Sequence, residues 1–414
     1  MEILSDPTPD MLAMPRFDDG AIDMQELLRR LAEQVVNAVM DAEADQLCGG
    51  GGGNSRNGYR ERSLATCVGT LTLRIPKLRS GSFFPEDVLE RYQRVDRALV
   101  AAVAEMYATG TSTRKVQRVA EKMGVSRLSK DQVSAIASSL DADIEDLCAR
   151  PLGGSPVPYV WLDATYVKCR REGRVASTAV VTAIGCDAGG WRRVLGVDVV
   201  DTEFYDSWLA FLRAIRSRGA AGVRLVVSDA HPGLVRALGE VFQGAAWQRC
   251  AVHLMRDCMR EAGSWQLRRR VGRIVSQVFR GRDAATVTAM YHAACDMLEG
   301  CCPRAAAVLE EAEPDALAYL DFPPTHWKRL RTNNVQERTN REIKRRSRVA
   351  GAVMCEQDEI WQESRYFSEV RMNELYDDGR TRGIDGPVDW ARLEAEARKM
   401  LESGLELADR VEAA

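Results

Sequence analysis

The stretch "YVWLDATYVKCR", residues 159 to 170, decides how the rest of the chain is read. Nearly every neighbour of Asp163 in it is β-branched or aromatic, so it reads as a buried strand with an acid near its centre. A carboxylate inside such a strand is costly unless something pairs with it. A guanidinium across the sheet, such as Arg192, is one candidate partner; a bound cation is the other.

Working outward, "PLGGSPVP" (151–158) is a Pro/Gly/Ser linker and the clearest domain boundary in the chain. Downstream the pattern predicts strands at 159–169, 175–186 and 192–200, the last two joined by the turn "DAGG" (187–190). A helix over Asp206–Ser217 follows, then a strand at 223–227, a helix from Pro232 to Val241 and a strand around 245–252. From Leu254 to about Leu320 the spacing is helical throughout, and a last helix begins near Asn333 and runs past Arg348.

Two further acids occupy informative places in this order. Asp229 lies just past an apolar strand in "LVVSDAHPG" (225–233), and Glu337 lies near the start of the basic helix "RTNNVQERTNREIKRR" (331–346). Three carboxylates on three elements can converge at one sheet edge. Their repulsion is relieved by divalent cations, and hard oxygen donors select Mg²⁺ or Mn²⁺. Two such ions about 3.5–4 Å apart activate an attacking oxygen and stabilise a leaving one in phosphodiester chemistry. Other readings stay open at this point. Asp229 can be a helix N-cap, Asp198 and Asp201 are competing acids, and Glu342 is a rival on the last helix, about 500° of rotation from Glu337.

The 414 residues are 45% hydrophobic, enough for two or three domains with a sizeable core. Net charge is only −3, but it is unevenly spread. Lys328–Arg348 holds nine basic residues against two acids, Arg56–Arg79 six against one, Arg114–Lys130 six against one, and Arg256–Arg282 eight against two. Four such clusters are the footprint of phosphate contact and point to a nucleic-acid partner. The eleven cysteines form no paired framework, no secretory pattern opens the chain, and the apolar run 176–186 is far short of a membrane span. The expectation is a reduced, intracellular protein with no membrane partner and no small-molecule substrate.

Residues 1–22 read as a loose Pro- and Asp-rich tail. From Asp23 to Leu47 the spacing is helical, with Leu27, Leu28, Leu31, Val35, Val36 and Val39 on one side, and five glycines (49–53) end it. Alternation at Leu71, Leu73 and Ile75 predicts short strands within 66–85, and helical periodicity returns from Asp87 to Met106. Residues 112–140 have helix-turn-helix spacing, with Gly124 at the turn; Arg114 and Lys115 lie on the first helix, and Arg127 and Lys130 at the entrance to the second. A plain αα-hairpin gives the same spacing. Trp161, Trp208, Trp247 and Trp265 read as core residues, with base stacking the alternative for Trp265.

Cys250 and His253 form a C-x-x-H pair after the last predicted core strand. Zinc is conceivable, but no second pair follows at usable spacing. A hydrogen-bonding histidine near a reacting phosphate, or a structural corner, are the other readings.

"LDATYVK", "VVSDAHPGL", "WQRCAVHLMRD" and "TNNVQERTNREIKRRSRVAG" resemble the bacterial Mutator-type transposases, the insertion-sequence 256 family. The resemblance extends to "RNGYRERS", "VGTLTLRIPKLRSGSFFP" and "WQESRYF", and covers roughly residues 25–375. It implies an α/β RNase H-like catalytic core with a mixed five-stranded sheet and an all-helical insertion, preceded by a mainly helical N-terminal DNA-binding region. The implied division is 23–150 for dimerisation and DNA binding, 151–253 for the first part of the core, 254–325 for the insertion, 326–375 for the final Glu-bearing helix, and 376–414 for a helical tail.

Carried over residue by residue, the resemblance makes Asp163, Asp229 and Glu337 the catalytic, metal-binding acids of a DDE transposase with two Mg²⁺ (or Mn²⁺) ions per site. It puts Cys250 and His253 in a motif near that site. Arg341, Lys344 and Arg348 lie on roughly the Glu337 face of the helix; Arg338, Arg345 and Arg346 lie further round and can grip flanking DNA. The family's "TTN" stands here as "RTNN" (331–334), a departure that keeps an amide at the helix start. The implied partners are double-stranded terminal inverted repeats, target DNA and a second copy of the chain, in a bacterial cytoplasm. Two other classes remain: a DNA-binding regulator with an inert RNase H-like domain, and a nuclease of RNA–DNA hybrids.

Overall fold

The computed structural model describes residues 14–49, 55–85, 95–108, 111, 113–125, 142–171, 174–200, 204–345, 350–377, 383–384 and 386–413. The chain divides into two compact units, Met1–Ala142 and Asp143–Ala414.

In the first unit, β1 (Arg56–Thr66) and β2 (Gly69–Leu78) form an antiparallel hairpin beside the helix Met24–Gly49. The period-two residues Leu71, Leu73 and Ile75 are buried, as alternation requires of a strand with one covered face. The helix meets β2 through a stripe that differs from the expected one. Met40 and Ala44 are fully buried and Ala32 and Val36 pack behind them, whereas Leu28, Leu31, Val35 and Val39 are exposed.

The reason is the open edge of β2. Glu33 accepts a hydrogen bond from Thr72 N at 2.8 Å, and Asn37 accepts from Arg74 N at 2.7 Å while donating to Thr72 O at 3.2 Å. Polar side chains that satisfy an unpaired strand edge turn the larger apolar stripe outward.

A second small core joins the helices Arg97–Ala108 and Thr113–Lys122 through Leu99, Val103, Val116 and Ala120. Gly124, at φ +75°, ends this pair in the left-handed region. The remainder of the expected helix-turn-helix, with Arg127 and Lys130, lies outside the described residues, as do residues 86–94 ahead of the preceding helix.

The second unit is built on a five-stranded sheet of order β5-β4-β3-β6-β7. Its strands are β3 (Tyr159–Arg171), β4 (Arg174–Cys186), β5 (Arg192–Val200), β6 (Leu225–Ser228) and β7 (Ala246–Arg249). β3, β4 and β5 are antiparallel neighbours, while β6 and β7 continue parallel to β3, so the sheet is mixed.

Alternation sorts the two faces. Val160, Leu162, Val181, Leu195 and Val226 meet the helices Tyr205–Ser217 and Pro232–Val241, where Trp208 is buried. Tyr159, Trp161, Val180, Ile184 and Val227 meet a helical block instead. A fully buried aromatic contributes roughly 2–3 kcal/mol, and Tyr159 and Trp161, both 0% exposed, are packed among Phe322, His326, Tyr366 and Phe367.

The helical block starts at Ala251, earlier than expected, because the strand before it stops at Arg249. Its helices Ala251–Arg260, Trp265–Val278, Ala284–Glu299 and Pro303–Glu311 share one core with the sheet. Ser264 and Asp283 cap two of them, accepting from Leu267 N and Thr286 N. Trp265 is not a core residue: it is 68% exposed, with the Arg269 guanidinium 4.5 Å from its ring centre.

The last expected helix is observed over Asn334–Arg345, its expected continuation past Arg348 lies outside the described residues, and the next described helix, Ala350–Trp361, packs against β5. Asp358 on that second helix accepts from both terminal nitrogens of Arg150 and from Val194 N. The C-terminal helix Trp390–Ala413 packs on the helical block against Ala284–Glu299 and Trp265–Val278. No helix among the described residues is long and apolar enough to cross a membrane.

Candidate active site

The register of the central strands brings two acids together. β3 and β6 run parallel with Trp161 opposite Val227. Two residues further along each strand stand Asp163 and Asp229, on neighbouring strands that lie about 4.8 Å apart. Asp163 also follows Tyr159 and Trp161 on the face covered by the helical block.

The carboxylate of Asp163 accepts from Ala164 N at 3.0 Å and from the side-chain amide of Asn340. Burial pushes this carboxyl up to about 6, the charge of Asp229 adds to the rise, and the positive charge of His253 opposes it. Arg192 does not pair with Asp163; it stacks on Trp361 and Tyr366 at 4.8 and 4.4 Å.

Asp229 is no helix cap. The following helix begins at Pro232 with His231 in the N-cap position, and Asp229 instead accepts from Ala230 N at 2.7 Å. Among its rivals, Asp198 sits on the edge strand β5, where it accepts from Val199 N, and Asp201 lies outside the described residues.

The helix Asn334–Arg345 is fastened across β3 and β4 by amides. Asn333 donates to Leu162 O at 2.9 Å, and the fully buried Gln336 donates to Trp161 O at 3.0 Å and Thr182 O at 3.3 Å. Buried amide donors are thereby satisfied on strand carbonyls. The C-x-x-H pair divides its work. Cys250 Sγ accepts from Asn333 N at 3.2 Å, so the cysteine ties the start of the helical block to the start of the Glu337 helix. His253 lines the same cavity as Asp163: the neighbouring Cys250 sulfur holds it up to about 9 against the effect of burial, with Asp229 and Asp163 adding to the rise.

A cavity of about 240 Å³ opens between these elements, with Asp163, His253, Arg256, Glu337, Asn340 and Lys344 among its lining residues. Glu337 is half-exposed and lies 3.6 Å from Arg256. Asp229 is not part of the cavity wall, although its charge acts on Asp163 and His253. Among the described residues, no three His, Cys, Asp or Glu side chains stand close enough to share one metal ion.

A family model described as "Transposase, Mutator family" matches residues 10–358. The chain belongs to the Mutator family of transposases. It is 40% identical over 364 residues to the transposase for insertion sequence element IS1081 of Mycobacterium tuberculosis, covering 83% of this chain and 87% of that one. It is 38% identical to the transposase for ISRM5 of Rhizobium meliloti, covering 84% and 91% of the two chains. It is 35% identical to the transposase for IS256 in transposon Tn4001 of Staphylococcus aureus, covering 74% and 82%. The protein is therefore an insertion-sequence transposase, a DNA-binding enzyme that cleaves and transfers strands.

The basic residues expected to meet DNA fall into three groups in this transposase. Arg341 and Lys344 line the cavity one and two turns beyond Glu337. Arg338 and Arg345 are on the same helix, with side chains outside the described set, and Arg346 and Arg348 lie wholly outside it. Arg114 and Lys115 are exposed on the helix Thr113–Lys122 of the first unit. Glu342 is not on the cavity wall.

Sequence reasoning missed Asn340, Gln336 and Arg256. Asn340 and Arg256 carried a legible signal, since each stands three residues from a residue already singled out, Glu337 and His253 respectively, and so shares its helix side.

Proposed function

We propose that this transposase works by a two-metal DDE mechanism on an RNase H-like core, with Asp163, Asp229 and Glu337 as the catalytic, metal-binding acids. The observation that carries this reading is the strand register that sets Asp163 beside Asp229, with Glu337 on the wall of the cavity into which Asp163 opens. The donor chemistry fits a pair of hard divalent ions: all three acids offer oxygen, and Asp163 is held protonation-prone by burial and by the charge of Asp229. When bound, Mg²⁺ or Mn²⁺ supplies activation of the attacking oxygen and stabilisation of the leaving one.

The protein's own groups do the rest. Asp163 on β3 and Asp229 just past the end of β6 would hold the cation pair together with Glu337 on the facing helix, and Asn340 fixes the orientation of the Asp163 carboxylate. His253 donates a hydrogen bond to a phosphate oxygen. Arg341, Lys344 and Arg348 hold phosphates, while Arg338, Arg345 and Arg346 grip the flanking backbone. A water attacks a phosphodiester first, freeing a 3′ hydroxyl, and that hydroxyl then attacks a phosphodiester of a second strand, whose own 3′ oxygen leaves as a hydroxyl, with positioning supplying much of the rate.

Residues 23–150 serve recognition of the terminal inverted repeats, with Arg114, Lys115, Arg127 and Lys130 meeting DNA through the helix-turn-helix. The same region pairs two copies of the chain. Met24, Leu28, Leu31, Val35 and Val39 are exposed at steps of four, three, four and four residues, the spacing of a helix–helix seam, and a second copy of this helix is the partner that supplies the same stripe.

Incubating the protein with labelled duplex that carries an element end, with Mg²⁺, and mapping the nicks tests the mechanism. Cleavage at the element boundary is expected, lost in Asp229→Asn and Glu337→Gln with duplex binding retained. Cleavage that persists in both variants overturns the assignment, and preferential cutting of an RNA–DNA hybrid moves it to a hybrid nuclease.

A further inference from the structure

The cavity holds an ion pair that the proposed chemistry would have to break. Arg256 and Glu337 face each other at 3.6 Å with side chains 53% and 50% exposed. That is longer than the roughly 2.7–2.9 Å of a charge-assisted hydrogen bond, and a pair this open to water is weak and easily exchanged. Arg256 stands one helical turn after His253, so both reach the cavity from the helix Ala251–Arg260. Glu337, Asn340, Arg341 and Lys344 reach it from the facing helix at i, i+3, i+4 and i+7.

The acids on the wall are held differently. Asp163 is fixed by the amide of Asn340 and by Ala164 N, whereas Glu337 is turned to a cation from the other wall. The described acids do not form a group of three around one point, and Asp229 stands off the cavity wall. Arg256 has the chemistry to do something else with its charge, because a guanidinium on a cavity wall beside Arg341 and Lys344 matches a phosphate diester.

We propose that Arg256 is a phosphate-binding residue of the DNA-cleaving site which, in the DNA-free protein, holds Glu337 away from Asp163. Engagement of a DNA phosphate by Arg256 then frees Glu337 to complete the acid set. The inference rests on the assignment of Asp163, Asp229 and Glu337 given above. Its consequence is a linkage: DNA and divalent cation each tighten the other's binding, and the site becomes competent only where a strand is present to be cut.

The test measures Mn²⁺ binding to the full chain by electron paramagnetic resonance of the free ion, without and with duplex DNA. Wild type, Arg256→Ala, Arg256→Gln, Lys344→Ala, Asp229→Asn and Glu337→Gln are compared; Glu337→Gln with DNA accounts for ions held by the duplex itself. Without DNA, both Arg256 variants are expected to bind Mn²⁺ about two- to fivefold more tightly than wild type, the factor an exposed ion pair is worth. Duplex should tighten Mn²⁺ binding in wild type and not in these variants, which should also bind DNA more weakly. Lys344→Ala removes a cation from the same cavity without touching the pair and should change DNA-free Mn²⁺ affinity less. The proposal is overturned if the Arg256 variants match wild type or Lys344→Ala while Glu337→Gln still weakens Mn²⁺ binding. If Glu337→Gln and Asp229→Asn both bind Mn²⁺ like wild type, the underlying acid assignment has failed instead.

Discussion

Asn340 donates a hydrogen bond to the Asp163 carboxylate from a position 177 residues further along the chain. The bond joins the strand that carries one acid to the helix that carries another, so the amide bears on orientation and on charge at once. It lowers the proton affinity of Asp163, which burial raises. Asn340→Ala is expected to reduce DNA cleavage by an order of magnitude or more, in line with roughly 1.5–3 kcal/mol for a hydrogen bond to a charged group. It should also push the Asp163 carboxyl above about 6, moving the acid limb of the cleavage profile to higher pH, while duplex affinity at fixed salt stays as in wild type.

Asp229 adds to the rise at Asp163 through like charge. Asp229→Asn should therefore lower the titration midpoint of Asp163 in the cation-free protein, even as it abolishes cleavage. Carboxyl signals in a ¹³C NMR titration report the direction of the shift.

Ionising Asp163 costs the fold stability. Its folded value of about 6 lies above the 3.8 of an ordinary aspartate, so the favourable contribution is present below 3.8 and is lost as pH rises through about 6. Asp163→Asn should consequently melt higher than wild type above pH 6 in chelator, by an amount corresponding to about 1–3 kcal/mol. Adding Mn²⁺ at pH 8 should raise the melting temperature of wild type more than that of the variant, because the cation relieves a charge that the variant lacks.

The exposed stripe of the N-terminal helix predicts association. Leu31→Glu combined with Val35→Glu should convert a dimer to a monomer in sedimentation equilibrium while leaving the far-ultraviolet spectrum unchanged, since neither side chain enters the hairpin core. A dimer that survives both changes places the contact elsewhere.

Lys344, on the cavity wall, is assigned a phosphate contact. Lys344→Ala should weaken binding to every duplex sequence by a similar factor and reduce the slope of log affinity against log salt by roughly one.

Much of the second unit was legible in the order of its elements. A run of β-branched and aromatic residues around Asp163 marked β3, and the strand and helix patterns gave the order of elements, while the mixed sheet was implied by the family resemblance. The Glu337 helix was recognisable from its polar periodicity. Its attachment was not, because Gln336 and Asn333 donate to strand carbonyls more than 150 residues away, and no local spacing encodes such bonds.

The face of the N-terminal helix was misjudged for a related reason. Periodicity found its largest apolar stripe, but the edge of β2 needed acceptors and a donor, and Glu33 and Asn37 supply them. Asp229 could be separated from a capping role only by seeing the helix begin at His231 and Pro232. Trp265 could be separated from the core only by its exposure.

The amide clamps from Asn333 and Gln336 onto β3 and β4 also impose an order of events on the ribosome. The sheet and both of its aspartates leave the exit tunnel well before the segment that closes the cavity is synthesised. A nascent chain halted near Leu330 would carry the first unit, proposed above to recognise the element ends, without the wall that bears Glu337, and on that proposal such a fragment would occupy its sequence without cutting it.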